Sequence, residues 1–252
     1  MIGSSGAVRV ISKRPRVDEE ERTWCYLLTD EHWAVGGAIN NAGLVYRWFR
    51  DGFCPAEVEA ALKSGQDPYE LLNRYAAEVG VGCDGLIFLP YLTGERSPRW
   101  NANARGVLFG LSLHHDRRHV IRAIMEGVAY RMYSVLLALE EVAGQVEEIR
   151  AAGGFLRSTL WTQILADVCG RELVIPEVME TSALGAVFLA LYALGYLRKL
   201  EEARRLVPIK KVYYPDMGNR AKYERLFELY ERIYQSLVEE FDEIAEIQQS
   251  MR

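Results

Sequence analysis

Apolar residues recur along this chain with more than one period, and the changes of period divide it into elements. Ala7–Ser12 and Trp24–Leu28 are short runs rich in Val, Ile, Trp and Tyr. The charged run Asp18-Glu19-Glu20-Glu21-Arg22 lies between them, so they predict a β-hairpin with a solvated tip. A third strand, His32–Val35, is expected to end at Gly36-Gly37, and Asn40-Asn41 to open a helix with Leu44, Val45, Trp48 and Phe49 on one face. Helices over Pro55–Lys63 and Tyr69–Glu78 follow, then a buried strand over Gly85–Pro90. Tyr91–Arg105 has no period and reads as a loop, followed by an alternating strand over Gly106–Leu113. From Asp116 onward, Ile121, Ile124, Val128, Met132, Val135 and Leu139 mark a long amphipathic helix.

The stretch from Ile149 continues as strand, helix (Ser158–Val168), strand (Leu173–Pro176) and helix (Ser182–Leu194), an alternation that implies an α/β layer with parallel pairing. Toward the end, Tyr223, Phe227, Tyr230, Tyr234, Leu237, Phe241 and Ile244 recur in steps of four and three. Such a seam fits a helix lying along its own domain, or a coiled-coil homodimer.

Composition narrows the class without naming a chemistry. The 252 residues are 50% hydrophobic and 26% charged, which excludes a disordered chain and leaves room for one large or two modest domains. The net charge of −5 does not favour a nucleic-acid partner. No apolar run reaches the ~18–20 residues of a bilayer span, so no membrane association is expected. The four cysteines are scattered, with no C-x-x-C pair, and fit a reduced, cytoplasmic protein. Met1–Val8 opens with a glycine-rich turn feeding a strand, as though cut from the middle of something longer.

The common phosphate, dinucleotide, zinc and hydrolase motifs are absent from the sequence. What stands in their place is a set of glycine corners: Gly3-Ser4-Ser5-Gly6, Gly36-Gly37 with Gly43, and Gly153-Gly154. Each could be a turn needing positive φ. Together they also suit a nucleotide cleft, where missing side chains let backbone N–H groups approach a phosphate or base and Ser4 and Ser158 add hydroxyls. His114, His115 and His119 precede or open a helix and lack the partners of a metal set. Arg96, Arg99 and Arg105 are either an anion site or solvated charges.

The run Gly106-Val-Leu-Phe-Gly-Leu-Ser-Leu-His-His-Asp-Arg-Arg-His-Val-Ile-Arg-Ala-Ile-Met-Glu126 resembles the second signature of the FGGY carbohydrate kinases. Leu89–Pro98, Gly153–Ser158 and Thr181–Ala186 resemble further blocks of that family, in the family's order. The resemblance runs from Gly3 to about Tyr196 and implies an α/β fold. Specifically, it implies the second of two actin-like (ribonuclease H-like) ATPase domains, with a mixed sheet flanked by helices over residues 1–210 and a C-terminal helical extension over 211–252 packed on it. Within the family, Gly3–Val10, Trp33–Gly43 and Arg47-Trp48 are most similar to members acting on gluconate, with xylulose-phosphorylating members next.

By the same resemblance, Gly3 and Ser4 match the turn contacting the nucleotide phosphates, and Gly43 and Arg47 match positions lining the nucleotide site. Gly153, Gly154 and Ser158 match the adenosine-contacting corner, with Gly185 permitting close helix packing behind it. The implied cofactors are ATP and Mg²⁺, and the implied substrate is a small sugar or sugar acid. The family's catalytic aspartate and metal-binding carboxylates belong to an N-terminal domain that precedes the block at Gly3. Neither Asp84 nor Glu95 stands in the aspartate motif, so no catalytic or metal-ligating residue is expected here. A chain lacking that domain should be inactive alone and expose an apolar or glycine-rich face near Gly3, Gly43 and Gly154; a standalone nucleotide-binding or interaction module is the alternative.

Overall fold

The computed structural model describes residues 1–178 and 180–251; Arg252, the last residue of the expected extension, lies outside them. Strands β1 (Gly6–Ser12), β2 (Trp24–Thr29) and β3 (His32–Ile39) form an antiparallel sheet in the order β1-β3-β2. The expected β1–β2 hairpin is therefore not made, since both strands pair with β3. The reason is burial: β3 is covered along most of its length, whereas β2 is half-exposed throughout and fits an edge. Nor is the tip fully solvated, because the Asp18 carboxylate is buried and accepts from the Arg22 backbone N–H at 2.9 Å and from Arg22 Nε at 3.1 Å.

β3 also runs through Gly36-Gly37 instead of ending there. A Cβ at Gly36 would lie 2.3 Å from the Val8 carbonyl oxygen, and one at Gly37 would lie 2.7 Å from the Val135 side chain. This glycine pair serves close packing inside the strand and is not a corner.

Helices α1 (Gly43–Phe53), α2 (Pro55–Lys63) and α3 (Pro68–Ala77) follow, then the antiparallel pair β4 (Ile87–Leu89) and β5 (Val107–Phe109). β5 is shorter than its alternation predicted. Gly110, at φ +84°, turns the chain away with its Cβ position 2.5 Å from the Gly85 carbonyl, and Leu111 and Leu113 emerge into solvent. The spine of the domain is α4 (Arg117–Ala143), whose six predicted core residues are all buried. It begins where Asp116 and His119 form a reciprocal capping box.

β6 (Glu148–Arg150) and β7 (Glu172–Pro176) pair in parallel through α5 (Thr159–Cys169), and β8 (Ile209–Tyr213) adds an antiparallel edge, giving the mixed sheet. The C-terminal seam forms two helices, α7 (Met217–Ser236) and α8 (Val238–Ser250), which break at Leu237. Tyr223, Tyr230, Tyr234 and Phe241 join the same core as α4, so most of the seam packs within the chain, while Ile244 at its end is exposed.

α6 (Thr181–Ala193) is the exception to this packing. Its sequence TSALGAVFLALYA is apolar on every side, yet none of its residues is buried. Among the described residues, nothing beyond the helix's own backbone lies within 4 Å of a Cβ placed on Gly185, so the close helix packing expected there is not seen.

Candidate functional site

Four of the predicted positions, Gly3, Ser4, Gly43 and Gly153, meet at one corner. The turn Gly3-Ser4-Ser5 lies against the start of α1, where Gly43 N donates to the Gly3 carbonyl at 2.9 Å and Ala42 N and Leu44 N donate to the Ser4 carbonyl at 3.2 and 3.1 Å. On its other side Ile2 N donates to the Ala152 carbonyl at 2.9 Å, which brings Gly153 under the turn. Side chains are excluded there: a Cβ on Gly43 would lie 2.6 Å from the Gly3 carbonyl oxygen, and one on Gly153 would lie 2.1 Å from that of Ile2. Gly153 also has φ +115°, where an L residue is strained.

The first N–H groups of α1 are thus satisfied by the turn, and the helix N-terminus is not itself an open anion site. The open groups belong to the turn. Ser4 and Ser5 are exposed, and their backbone N–H and hydroxyl groups have no partner among the described residues. Arg47, one helical turn beyond Gly43 and on the same face of α1, is exposed and has no ion pair among the described residues. Gly154 is also exposed, with nothing within 4 Å of a Cβ. Ser158 differs from the others. It is buried, and its hydroxyl accepts from Trp161 N at 3.2 Å as the N-cap of α5, so it holds the corner from behind.

The 91–105 loop lies at the end of β3, beside this corner. Glu95 and Arg131 are both buried, with Nε to Oε2 at 3.2 Å. The second Glu95 oxygen accepts the backbone N–H groups of Asn40 (3.2 Å) and Arg96 (2.7 Å), joining loop and strand end through one atom. Asn41 completes the seam: its Nδ2 donates to the Gly94 carbonyl at 2.6 Å, and its Oδ1 accepts from Thr93 N and Oγ1 at 3.1 and 3.0 Å. Asn41 and Glu95 have no place among the sequence-predicted site residues. Their only sequence signal is the presence of groups able to hydrogen-bond in stretches without hydrophobic period.

The three loop arginines separate. Arg99 pairs with Glu231 and stacks over Tyr234, 4.5 Å from its centroid, while Arg105 Nε donates to Gln248 Oε1 at 2.8 Å. Arg96 alone of the three keeps an exposed side chain without a partner among the described residues.

His114, His115 and His119 do lie together, with His114 and His115 ring centroids 4.1 Å apart. Among the described residues, however, no group of three or more His, Cys, Asp or Glu side chains could hold a metal ion. The corner offers backbone, hydroxyl and guanidinium groups, none of them an anionic metal ligand. The expected Mg²⁺ is therefore not fitted by these residues. No helix among the described residues is long and apolar enough to cross a membrane.

Small antiparallel and mixed sheets flanked by helices, with a glycine-lined turn where β1 and α1 begin, fit the α/β arrangement of actin-like ATPase domains, the fold of the solved structures the chain matches. The model of the FGGY family of carbohydrate kinases, C-terminal domain, matches residues 1–194, and the chain belongs to that family. It is 43% identical over 251 residues to a gluconokinase of Bacillus licheniformis, covering 99% of this chain and 49% of the relative. The crystal structure of gluconate kinase from Lactobacillus acidophilus superposes with a TM-score of 0.86 at 34% identity, covering 96% of this chain and 48% of the other. A ligand-bound xylulose kinase from the same organism gives a TM-score of 0.86 at 33% identity, with the same coverage. The chain thus spans about half the length of the relatives it matches.

Proposed function

We propose that this chain is the nucleotide-binding half of a sugar kinase that transfers the γ-phosphoryl group of ATP to a hydroxyl of gluconate. The observation that carries this reading is the convergence of the Gly3-Ser4 turn, Gly43 and Gly153, distant in sequence, on one corner where a Cβ on Gly43 or Gly153 would clash. Phosphoryl transfer depends on positioning and charge stabilisation more than on covalent help from the protein. In this reading the Ser4 hydroxyl and the N–H groups of the turn donate to phosphate oxygens, and Arg47 supplies positive charge from α1. Gly153 and Gly154 leave room for the adenosine, with Ser158 fixing their position.

Bound Mg²⁺ would neutralise phosphate charge. The base that accepts the hydroxyl proton belongs, in the same reading, to a partner domain. Its docking face includes α6, whose unburied apolar surface begins beside Met1, with Ser182 Oγ 4.0 Å from Met1 Sδ. Gluconate is preferred over xylulose because the 43% identity over 251 residues to a gluconokinase exceeds the 32% over 199 residues to a xylulose kinase of Bacillus subtilis.

The test is ATP-dependent phosphorylation of a panel of sugars and sugar acids, by this chain alone and after mixing with the N-terminal half of a related gluconokinase. Nucleotide binding without turnover is expected for the chain alone, and gluconate turnover after mixing. Turnover by the chain alone overturns the half-site reading, and preference for xylulose in the mixture overturns the substrate.

A further inference from the structure

The least explained investment in this fold is the way the 91–105 loop is held. A buried ion pair such as Glu95–Arg131 carries a large desolvation cost and is weak evidence for stability as such. Here its geometry has another consequence. The Glu95 oxygen not facing Arg131 grips the backbone of Arg96 and of Asn40 at once, and Asn41 ties Thr93 and Gly94 to the same strand end. Trp100 N also donates to the Arg96 carbonyl, at 2.6 Å. The backbone of Arg96 is thus fixed on both sides, next to Asn40, and the chain runs from Asn40 to Ala42 and Gly43, which bond the Gly3-Ser4 turn.

A solvated arginine on a mobile loop would need none of this. Arg99 and Arg105, in the same loop, have each found a partner on α7 or α8, so the loop does not leave its cations free by default. Arg96, without a partner among the described residues, emerges where the loop is pinned to the strand end that leads into the corner. Like Arg47, Arg96 carries an exposed guanidinium without a partner among the described residues, and planar forked donors suit phosphate oxygens.

We propose that Arg96 is a further phosphate-binding residue of this corner, held by Glu95 so that its guanidinium meets the outer phosphoryl oxygens of the bound nucleotide. The inference rests on the nucleotide reading of the corner. Glu95 is then a positioning residue, acting through the backbone of Arg96.

Titration calorimetry on the full chain, wild type and Arg96→Gln, with ATP, adenosine, inorganic tripolyphosphate and gluconate as separate probes, tests it. Loss of one charge-assisted contact is expected to weaken ATP and tripolyphosphate by about tenfold or more, and to leave adenosine and gluconate unaffected. Arg96→Lys should fall between the two, since a point charge keeps attraction but loses the fork. Unchanged ATP and tripolyphosphate binding in Arg96→Gln overturns the proposal, as does an equal loss for adenosine, or a loss for gluconate alone. If the wild type holds tripolyphosphate through Arg96 but binds neither ATP nor adenosine, the nucleotide reading fails and the Arg96 contact stands. If the wild type binds ATP and Arg96→Gln binds it equally well, the reverse holds. Wild-type protein that binds neither ATP nor tripolyphosphate sinks both.

Discussion

Arg131 reaches Glu95 across the interior from the middle of α4, Nε to Oε2 at 3.2 Å, with neither side chain exposed. Arg131 Nη2 also donates to the Ser97 carbonyl at 2.8 Å, so one guanidinium secures the loop at two points. Removing one partner leaves the other charge buried and unpaired. Arg131→Ala should therefore lower unfolding free energy by about 3–5 kcal/mol in denaturant titrations. The double variant Glu95→Leu with Arg131→Met should recover much of that stability, because a well-packed apolar pair avoids the desolvation cost. It should not recover tripolyphosphate binding, since the N–H groups of Asn40 and Arg96 lose their shared acceptor.

The glycines of the corner separate stability from binding. Gly153→Ala places a Cβ 2.1 Å from a backbone oxygen at positive φ, and Gly43→Ala places one at 2.6 Å. Both should destabilise by about 1–3 kcal/mol or more and move the turn. Gly154→Ala meets open space, so its thermal midpoint should stay near wild type while adenosine binding falls. Equal effects of all three on stability would refute this division.

Acid sensitivity should trace in part to the start of α4. The Asp116 carboxyl is held well below its ordinary range by the hydrogen bond from Arg118, against some desolvation and with help from His119. A depressed folded-state pKa gives stability that is full above the unfolded carboxylate value, about 3.9, and is lost as pH falls below it. Asp116→Asn keeps a good N-cap but cannot titrate, so its unfolding midpoint should depend less steeply on pH between about 4 and 2. Parallel pH profiles for the two proteins would contradict this.

Thiol reactivity should be confined to one position. Burial pushes the Cys169 thiol up to about 12, and burial beside Glu126 pushes Cys83 up further, while Cys25 on the edge strand β2 is partly exposed. Under native conditions at neutral pH, iodoacetamide should label Cys25 first and the buried thiols only on unfolding, as read by peptide mass mapping. Early labelling of Cys83 would show that the α3–α4 core opens.

Hydrophobic period in the sequence was enough to determine the local elements. Helices α2 to α5 and strands β1, β4 and β7 lie close to where their patterns place them, because burial of a face at a fixed repeat is a local property. The residue types of the glycine corner were equally legible, since Gly43 and Gly153 stand where no side chain fits.

Which segments meet was decided only by the tertiary structure. Period cannot say that β3 lies between β1 and β2, or that Gly36-Gly37 packs inside a strand while Gly43 borders a turn. It cannot sort three arginines of one loop, because Arg99 and Arg105 are taken up by Glu231 and Gln248, more than a hundred residues away, and Arg96 is not. Nor can it reveal that α6, the most apolar helix by sequence, has no buried residue among those described. An apolar surface or a charge specifies that a partner is needed, and the folded geometry alone determines which group, if any, stands within reach.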